Sequence, residues 1–279
     1  MKITDFNIII ISKFGNKNRR KLNEYIFKDK EIHFIESIEA LKLLDNEYRK
    51  KISNLLNIPQ TKLCLNWFYQ NDNFKKRSKL YEKLAVDVSL FLSHFYALKY
   101  AYDNNFKNVL IIEDDCELLE YAENIEFDLP ENFDMIYFGG LIQNNWKSYE
   151  LEKNKFCIIN PEEMKIHGTF SYAIQKITYF YESFKRVFKS EPKYFDTIQR
   201  FTNTDCKIRG STPDSFYINF IQRQRNSYIF YPCIFGHRYL YPDEYNIGCL
   251  SFEQRYKNIN LNHNLYDSKF RKLDYYVSF

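Results

Sequence analysis

Two stretches dominated by apolar residues stand out along the chain, Phe6 to Ile11, broken only by Asn7, and Val109 to Ile112. Both are rich in β-branched residues and bounded by polar ones, which predicts strands buried on both faces. Ile32 to Ile35 predicts a shorter strand. From Glu36 to Asn57 the apolar positions Ile38, Leu41, Leu44, Tyr48, Ile52, Leu55 and Leu56 recur at helical spacing until Pro59 stops them. Val86 to Tyr102 predicts a second long helix, with Val88, Phe91, Leu92, Phe95, Leu98 and Tyr102 on one face and Asn104-Asn105 closing it. Residues 60–80 between them read as irregular and include the basic cluster Lys75-Lys76-Arg77. Further on, Asp134 to Phe138 predicts a strand ending in Gly139-Gly140, and Phe156–Ile159 and Gly168–Ile174 predict two more. A helix is expected from about Gln175 to Phe188. Another is expected from Thr212-Pro213-Asp214 to about Gln224, with Thr at the cap, Pro at the first position and an acid in the first turn. Ser227 to Tyr231 reads as a last strand, leading into Pro232 to Arg238.

The polar residues next to these strands carry the candidate chemistry. Val109 to Ile112 runs directly into Glu113-Asp114-Asp115. In an open α/β sheet ligands bind at the carboxyl ends of the strands, where three acids in a row call for a counter-ion. Glu113 and Asp115 lie two apart and point the same way in an extended backbone. Such a pair suits a hard divalent cation, which prefers oxygen ligands and accepts a diphosphate as co-ligand. A solvated acidic turn is the alternative. Near the first strand, Arg19-Arg20 opens a helix predicted from about Asn18. A cation is disfavoured there by the helix dipole, so it is better placed facing an anion, a solvated arginine being the other reading.

Composition narrows the classes. A chain of 279 residues is long enough for one large α/β domain or two small ones. A net charge of +4, with Lys and Arg scattered among the acids, does not favour a nucleic-acid partner. Glycine occurs only seven times, so the Gly139-Gly140 pair marks either a place where something approaches the backbone or a plain flexible turn. The six cysteines form no CxxC pair, and Cys233 with His237 alone is weak evidence for zinc. The Ile8–Ile11 run is too short for a signal peptide or membrane span. With no Asn-x-Ser/Thr sequon, this predicts a cytoplasmic protein of one domain over residues 1–279.

Ser93-His94, then a helix, then Val109 to Asp115 resembles the "SH … lIlEDD" core of glycosyltransferase family 25, which includes lipooligosaccharide and procollagen galactosyltransferases. In the same order, the first strand with Arg19-Arg20 resembles that family's "NL…R" segment. Asp134 to Gly139 resembles its "WD…LG" strand, and Gly168 to Lys176 its "Y.iS" segment. The matches are dense from residue 88 to 176. Ser89-Leu90 replaces the family's Gly-Cys, Gln175 stands in place of a serine, and residues 40–80 read as an insertion.

The resemblance implies a GT-A type fold: α/β, with a Rossmann-like, mostly parallel sheet, helices on both faces, and a nucleotide-sugar site at the strand ends. Asp115 would place Mn²⁺ or Mg²⁺ against the diphosphate, with His237 as a second metal ligand and Arg238 on the phosphates. Glu113, Asp114, Arg20, Ser93, His94 and Gly139 would complete donor binding. Inversion at the anomeric carbon requires a general base, for which Asp214 is the candidate and Asp243 and Glu244 the reserves. The implied reaction moves galactose or glucose from a UDP-sugar donor to a glycan or to hydroxylysine of a collagen-like chain, with residues 250–279 as a lid or acceptor segment. Another metal–nucleotide enzyme, such as a nucleotidyltransferase, and a catalytically inactive sugar-binding relative are the alternatives.

Overall fold

A computed structural model describes residues 5–13, 15–28, 30–63, 78–118, 126, 128–143, 154–160, 164–189, 217–222, 225–231 and 233–237. The chain divides into two compact units. The first holds residues 1–35, 106–176 and 217–279, and the second holds residues 36–105 and 177–216.

The strands of the first unit are β1 (Asn7–Ser12), β2 (Ile32–Glu36, reaching one residue into the second unit), β3 (Val109–Glu113), β4 (Cys116–Leu118), β5 (Met135–Gln143), β6 (Lys155–Ile158), β7 (Lys165–Ile174), β8 (Ser227–Tyr231) and β9 (Phe235–His237). Seven form one sheet in the order β2-β1-β3-β7-β5-β8-β6, while β4 and β9 make a separate ribbon. β1 and β3 are parallel, as are β5 and β8. β7 runs antiparallel to both β3 and β5, and β6 antiparallel to β8. β1, β3, β5 and β8 therefore point the same way. The fold is α/β and Rossmann-like, with a mixed sheet in which one reversed strand sits between two aligned pairs.

The apolar runs explain the centre of this sheet. Register pairs Ile8 and Ile10 with Leu110 and Ile112, and these four join Phe6, Phe27, Phe133, Ile136, Phe138, Ala173 and Phe230 in one core. The alternate positions form a row on the opposite face, from Ile9 through Ile111, Tyr172 and Tyr137 to Ile229. All five are fully buried, as a strand without polar alternation requires. Two of them carry hydroxyls that need partners. A single π-helical turn, Tyr217–Gln222, supplies them: Tyr217 donates to the Tyr172 hydroxyl at 2.9 Å, and Gln222 Nε2 to the Tyr137 hydroxyl at 2.8 Å. Gln222 also bonds both backbone groups of Ile166. Burial, and then the neighbouring Tyr217 hydroxyl, push the Tyr172 phenol well above its usual range.

β5 and β7 run past the point where β3 stops. The last β3–β7 pair is Ile112 with Ser171, but β5 and β7 continue through Leu141–His167 to Gln143–Lys165. The extension is irregular at Gly139, and Gly168 adopts φ +87°. The tip of the Phe170 ring explains both glycines. A Cβ on Gly139 would collide with that ring and lie 2.9 Å from the Phe235 carbonyl oxygen, and one on Gly168 would meet the same ring at 2.8 Å. What approaches the backbone at Gly139 is thus the chain's own aromatic side chain.

In the second unit the predicted 36–57 helix is divided. Ala40–Leu44 is a 3₁₀ turn, and Asp45 caps a new helix, α2 (Asn46–Leu56), by accepting from the Tyr48 amide at 2.7 Å. Asn57, in the left-handed region at φ 54°, ends it. A further 3₁₀ turn covers Gln60–Leu63. The long helix α3 starts earlier than predicted and spans Ser78–Asp103, with left-handed Asn105 just beyond. α4 is Ile177–Lys189, and it packs on α3 through stacked rings. Phe95 lies over both Tyr181 and Phe184, Phe91 over Phe184, and Tyr102 over Tyr181. Among the described residues no helix is long and apolar enough to cross a membrane.

Candidate functional site

The parallel pair β1–β3 ends in polar residues on both strands, and these meet. β1 closes on Ser12, followed by Lys13, and β3 closes on Glu113, followed by a turn at Asp114 and Asp115. The loop after β1 leads into α1 (Lys17–Ile26), whose N-cap Asn16 accepts from the Arg19 amide at 3.3 Å. In the first turn of this helix Arg19 is buried and Arg20 half-buried.

Asp114 ties the parts together. Its Oδ2 accepts from the Ser12 hydroxyl at 2.9 Å and the Lys13 amide at 3.2 Å, and its Oδ1 from Arg19 Nη1 at 2.8 Å. Its backbone N–H donates to Ile11 at 3.0 Å, and its carbonyl accepts from Asn23 Nδ2 at 3.2 Å. Arg19 and Asp114 side chains are 4% and 7% exposed, so the pair is buried. Burial pushes the Asp114 carboxyl above the ordinary carboxylate value. The Arg19 charge and its hydrogen bond, with that from Ser12, pull it back, while neighbouring Asp115 adds to the rise.

Asp115 is also buried, and its Oδ2 lies 4.0 Å from the same Arg19 nitrogen. Glu113 is more open, and its Oε1 lies 3.5 Å from the Thr169 hydroxyl on β7, where β7 extends beyond the end of β3. Arg20 donates through Nε to Ser12 Oγ at 3.3 Å and lies 5.3 Å from the centre of the Phe34 ring, a cation–π distance. The β4–β9 ribbon continues directly from this turn. It pairs His237 opposite Cys116, one position past Asp115. The ribbon is seated on the sheet by the Ile234 N–H, which donates to Phe138 at 2.9 Å, and by the Cys116 thiol, which donates to Phe170.

Of the residues expected from the sequence, Arg20, Glu113, Asp114 and Asp115 converge here, and His237 comes into register beside them. Gly139 lies on β5 under Phe170. Ser93 and His94 lie on α3 in the second unit, both buried. Ser93 Oγ accepts from the Ile38 amide at 2.8 Å and donates to the Ser89 carbonyl at 2.6 Å, an internal bridge. Asp214, Arg238, Asp243, Glu244, Lys75-Lys76-Arg77 and residues 250–279 lie outside the described residues. Of the Arg19-Arg20 pair the sequence favoured Arg20 for the site, whereas Arg19 is the one that meets Asp114; Ser12, Asn23 and Thr169 were missed. The available signal was Asn23, one helical turn after Arg19 and able to share its inward face.

The donor set fits a hard divalent cation of the kind that one or two carboxylates hold together with substrate phosphates. Asp115 and Glu113 offer oxygen ligands at a strand end. Among the described residues no three His, Cys, Asp or Glu side chains gather as a complete cage.

No protein-family model matches the chain, and no curated protein matches it. One solved structure with a likeness is the crystal structure of a glycosyltransferase involved in the glycosylation of the major capsid of PBCV-1. It is 10% identical and aligns over 81% of this chain and 93% of its own, with a TM-score of 0.31. At that level the likeness adds nothing to the strand order, on which the fold assignment rests. The resemblance to family 25 rests on its motifs alone.

Proposed function

We propose that the chain is a glycosyltransferase that transfers a hexose, galactose or glucose, from a UDP-sugar to a hydroxyl of a glycan or a collagen-like acceptor. One observation carries this reading: the Glu113-Asp114-Asp115 turn stands at the carboxyl ends of two adjacent parallel strands in a Rossmann-like sheet, where such sheets bind nucleotides. The order of motifs resembling family 25 supports it. Bound Mn²⁺ or Mg²⁺ would act as a Lewis acid on the leaving diphosphate.

The geometry supports a structural role for Asp114, and the resemblance to family 25 suggests the others. Both carboxylate oxygens of Asp114 hold internal donors, so its work is to join α1 to the end of β3. Asp115 is the metal ligand, with His237 as the candidate second. Glu113, beside Thr169, meets the ribose or a metal-bound water. Arg20 and Arg238 balance phosphate charge, and Asp214 takes the proton of the acceptor hydroxyl.

The test is a screen of UDP-glucose, UDP-galactose and UDP-GlcNAc with Mn²⁺, following UDP release, together with calorimetry of UDP binding. Wild type is expected to bind UDP and release it from one donor. Asp115→Asn should lose at least about 100-fold of that rate, on the order expected for removing a charge-stabilising group, while melting like wild type. A folded wild type that neither binds UDP nor releases it sinks the reading.

A further inference from the structure

We propose that Arg19 is the resident counter-ion of the Asp114–Asp115 turn. It is a positioning residue that stands where a cation is needed and sets how tightly a divalent ion binds at Asp115 before any nucleotide arrives. The inference rests on the metal–diphosphate reading above and gives that site a binding order.

Two consecutive buried carboxylates face one guanidinium nitrogen, at 2.8 Å from Asp114 Oδ1 and 4.0 Å from Asp115 Oδ2. Buried charges of like sign are costly together unless a cation accompanies them, and Arg19 is that cation. It keeps its charge, because a guanidinium does not deprotonate in proteins. It is also held in place, since its partner Asp114 is itself fixed by the Ser12 hydroxyl and the Lys13 amide. A divalent ion ligated by Asp115 therefore sits beside a fixed positive charge and is repelled by it. A nucleoside diphosphate reverses the balance by bringing its own negative charges. The metal alone should bind weakly, and the metal with its diphosphate well, so that the ion is not retained after the nucleotide leaves.

Calorimetric titration with Mn²⁺ alone separates this from a purely structural role. Removing the charge in Arg19→Gln, which keeps an amide for Asp114, should tighten Mn²⁺ binding about tenfold or more, given an effective dielectric constant of about 20 near such pairs. A merely structural Arg19 predicts weaker binding instead, because the turn loosens. The paired variant Arg19→Met with Asp114→Leu removes one charge of each sign, and apolar replacement of a buried pair is well tolerated. It should bind Mn²⁺ within about threefold of wild type, and it decides the matter if Arg19→Gln does not fold. Affinity that is unchanged or weaker in a folded Arg19→Gln, or abolished in the paired variant, overturns the inference.

Asp115→Asn keeps the two levels distinct. If it loses Mn²⁺ binding while Arg19→Gln matches wild type, only the role of Arg19 falls. If Asp115→Asn binds Mn²⁺ as wild type does, the metal assignment fails and the inference goes with it.

Discussion

Asp114 joins the end of β1, α1 and the end of β3 through the Ser12 hydroxyl, the Lys13 amide and Arg19. Spacing shows three carboxylates in a row, whereas their division of labour depends on which one meets Arg19, and that contact joins residues 95 positions apart. Asp114→Ala removes the 2.8 Å carboxylate partner of buried Arg19 and leaves Asp115 at 4.0 Å. It should cost about 3–5 kcal/mol, as breaking a buried pair does, read from urea unfolding; a loss below about 1 kcal/mol would mean water already screens the pair. Gly139 teaches a similar lesson. Scarcity left it as either a position of close approach or a plain flexible turn, and the packing decides for the first, with Phe170 and the Phe235 carbonyl as what approaches. Gly139→Ala should destabilise by about 1–3 kcal/mol through overpacking, and a melting temperature equal to wild type would contradict that. Cys233 gives a pH-dependent case, since burial raises its thiol from 9.0 to about 12. Between those values the folded protein keeps a proton that the unfolded chain has released, so stability falls as pH rises through that window. Cys233→Ala should flatten this alkaline decline in a pH series of thermal melts.

Among elements, the strands were the most readable part, because unbroken Ile and Val runs have few other uses. Strand direction was not readable. Nothing in the apolar pattern of β7 says that it runs against β3 and β5, because side-chain alternation is the same in either direction. The break at Asp45 could be seen in hindsight: an Asp three residues before Tyr48 is an ordinary helix cap, but the apolar spacing ran through it and hid it. The Tyr217–Gln222 turn shows how a short element can matter through one side chain. Replacing Gln222 with Leu would strip its hydrogen bonds from both backbone groups of Ile166. Each orphaned group costs about 1–3 kcal/mol, so Gln222→Leu should unfold at clearly lower urea concentration. Hydrogen exchange should quicken at Ile166 first, and protection equal to wild type there would show that water replaces the amide.

At the scale of the whole molecule, the division into two units left no mark on the sequence, because neither composition nor a linker changes where the chain passes from one to the other. The second unit enters as two separate stretches of the chain. The parallel pair at the heart of the first unit is therefore remote in sequence: Ser12 and Asp114 are 102 residues apart. During translation this becomes a waiting time. At roughly 5–20 residues per second, β1 leaves the ribosome on the order of 5–20 s before its partner β3. Through that interval Ile8 to Ile11, a segment of high β-propensity with no charge, has β2 on one side and an open edge where β3 belongs, and open edges of that kind seed aggregates. Chains released after residue 105 should accordingly pellet on centrifugation of a cell-free reaction, and Ile9→Lys in the same fragment should keep them in the supernatant. The strand that builds the site is thus also one whose partner edge must be shielded while the chain is made.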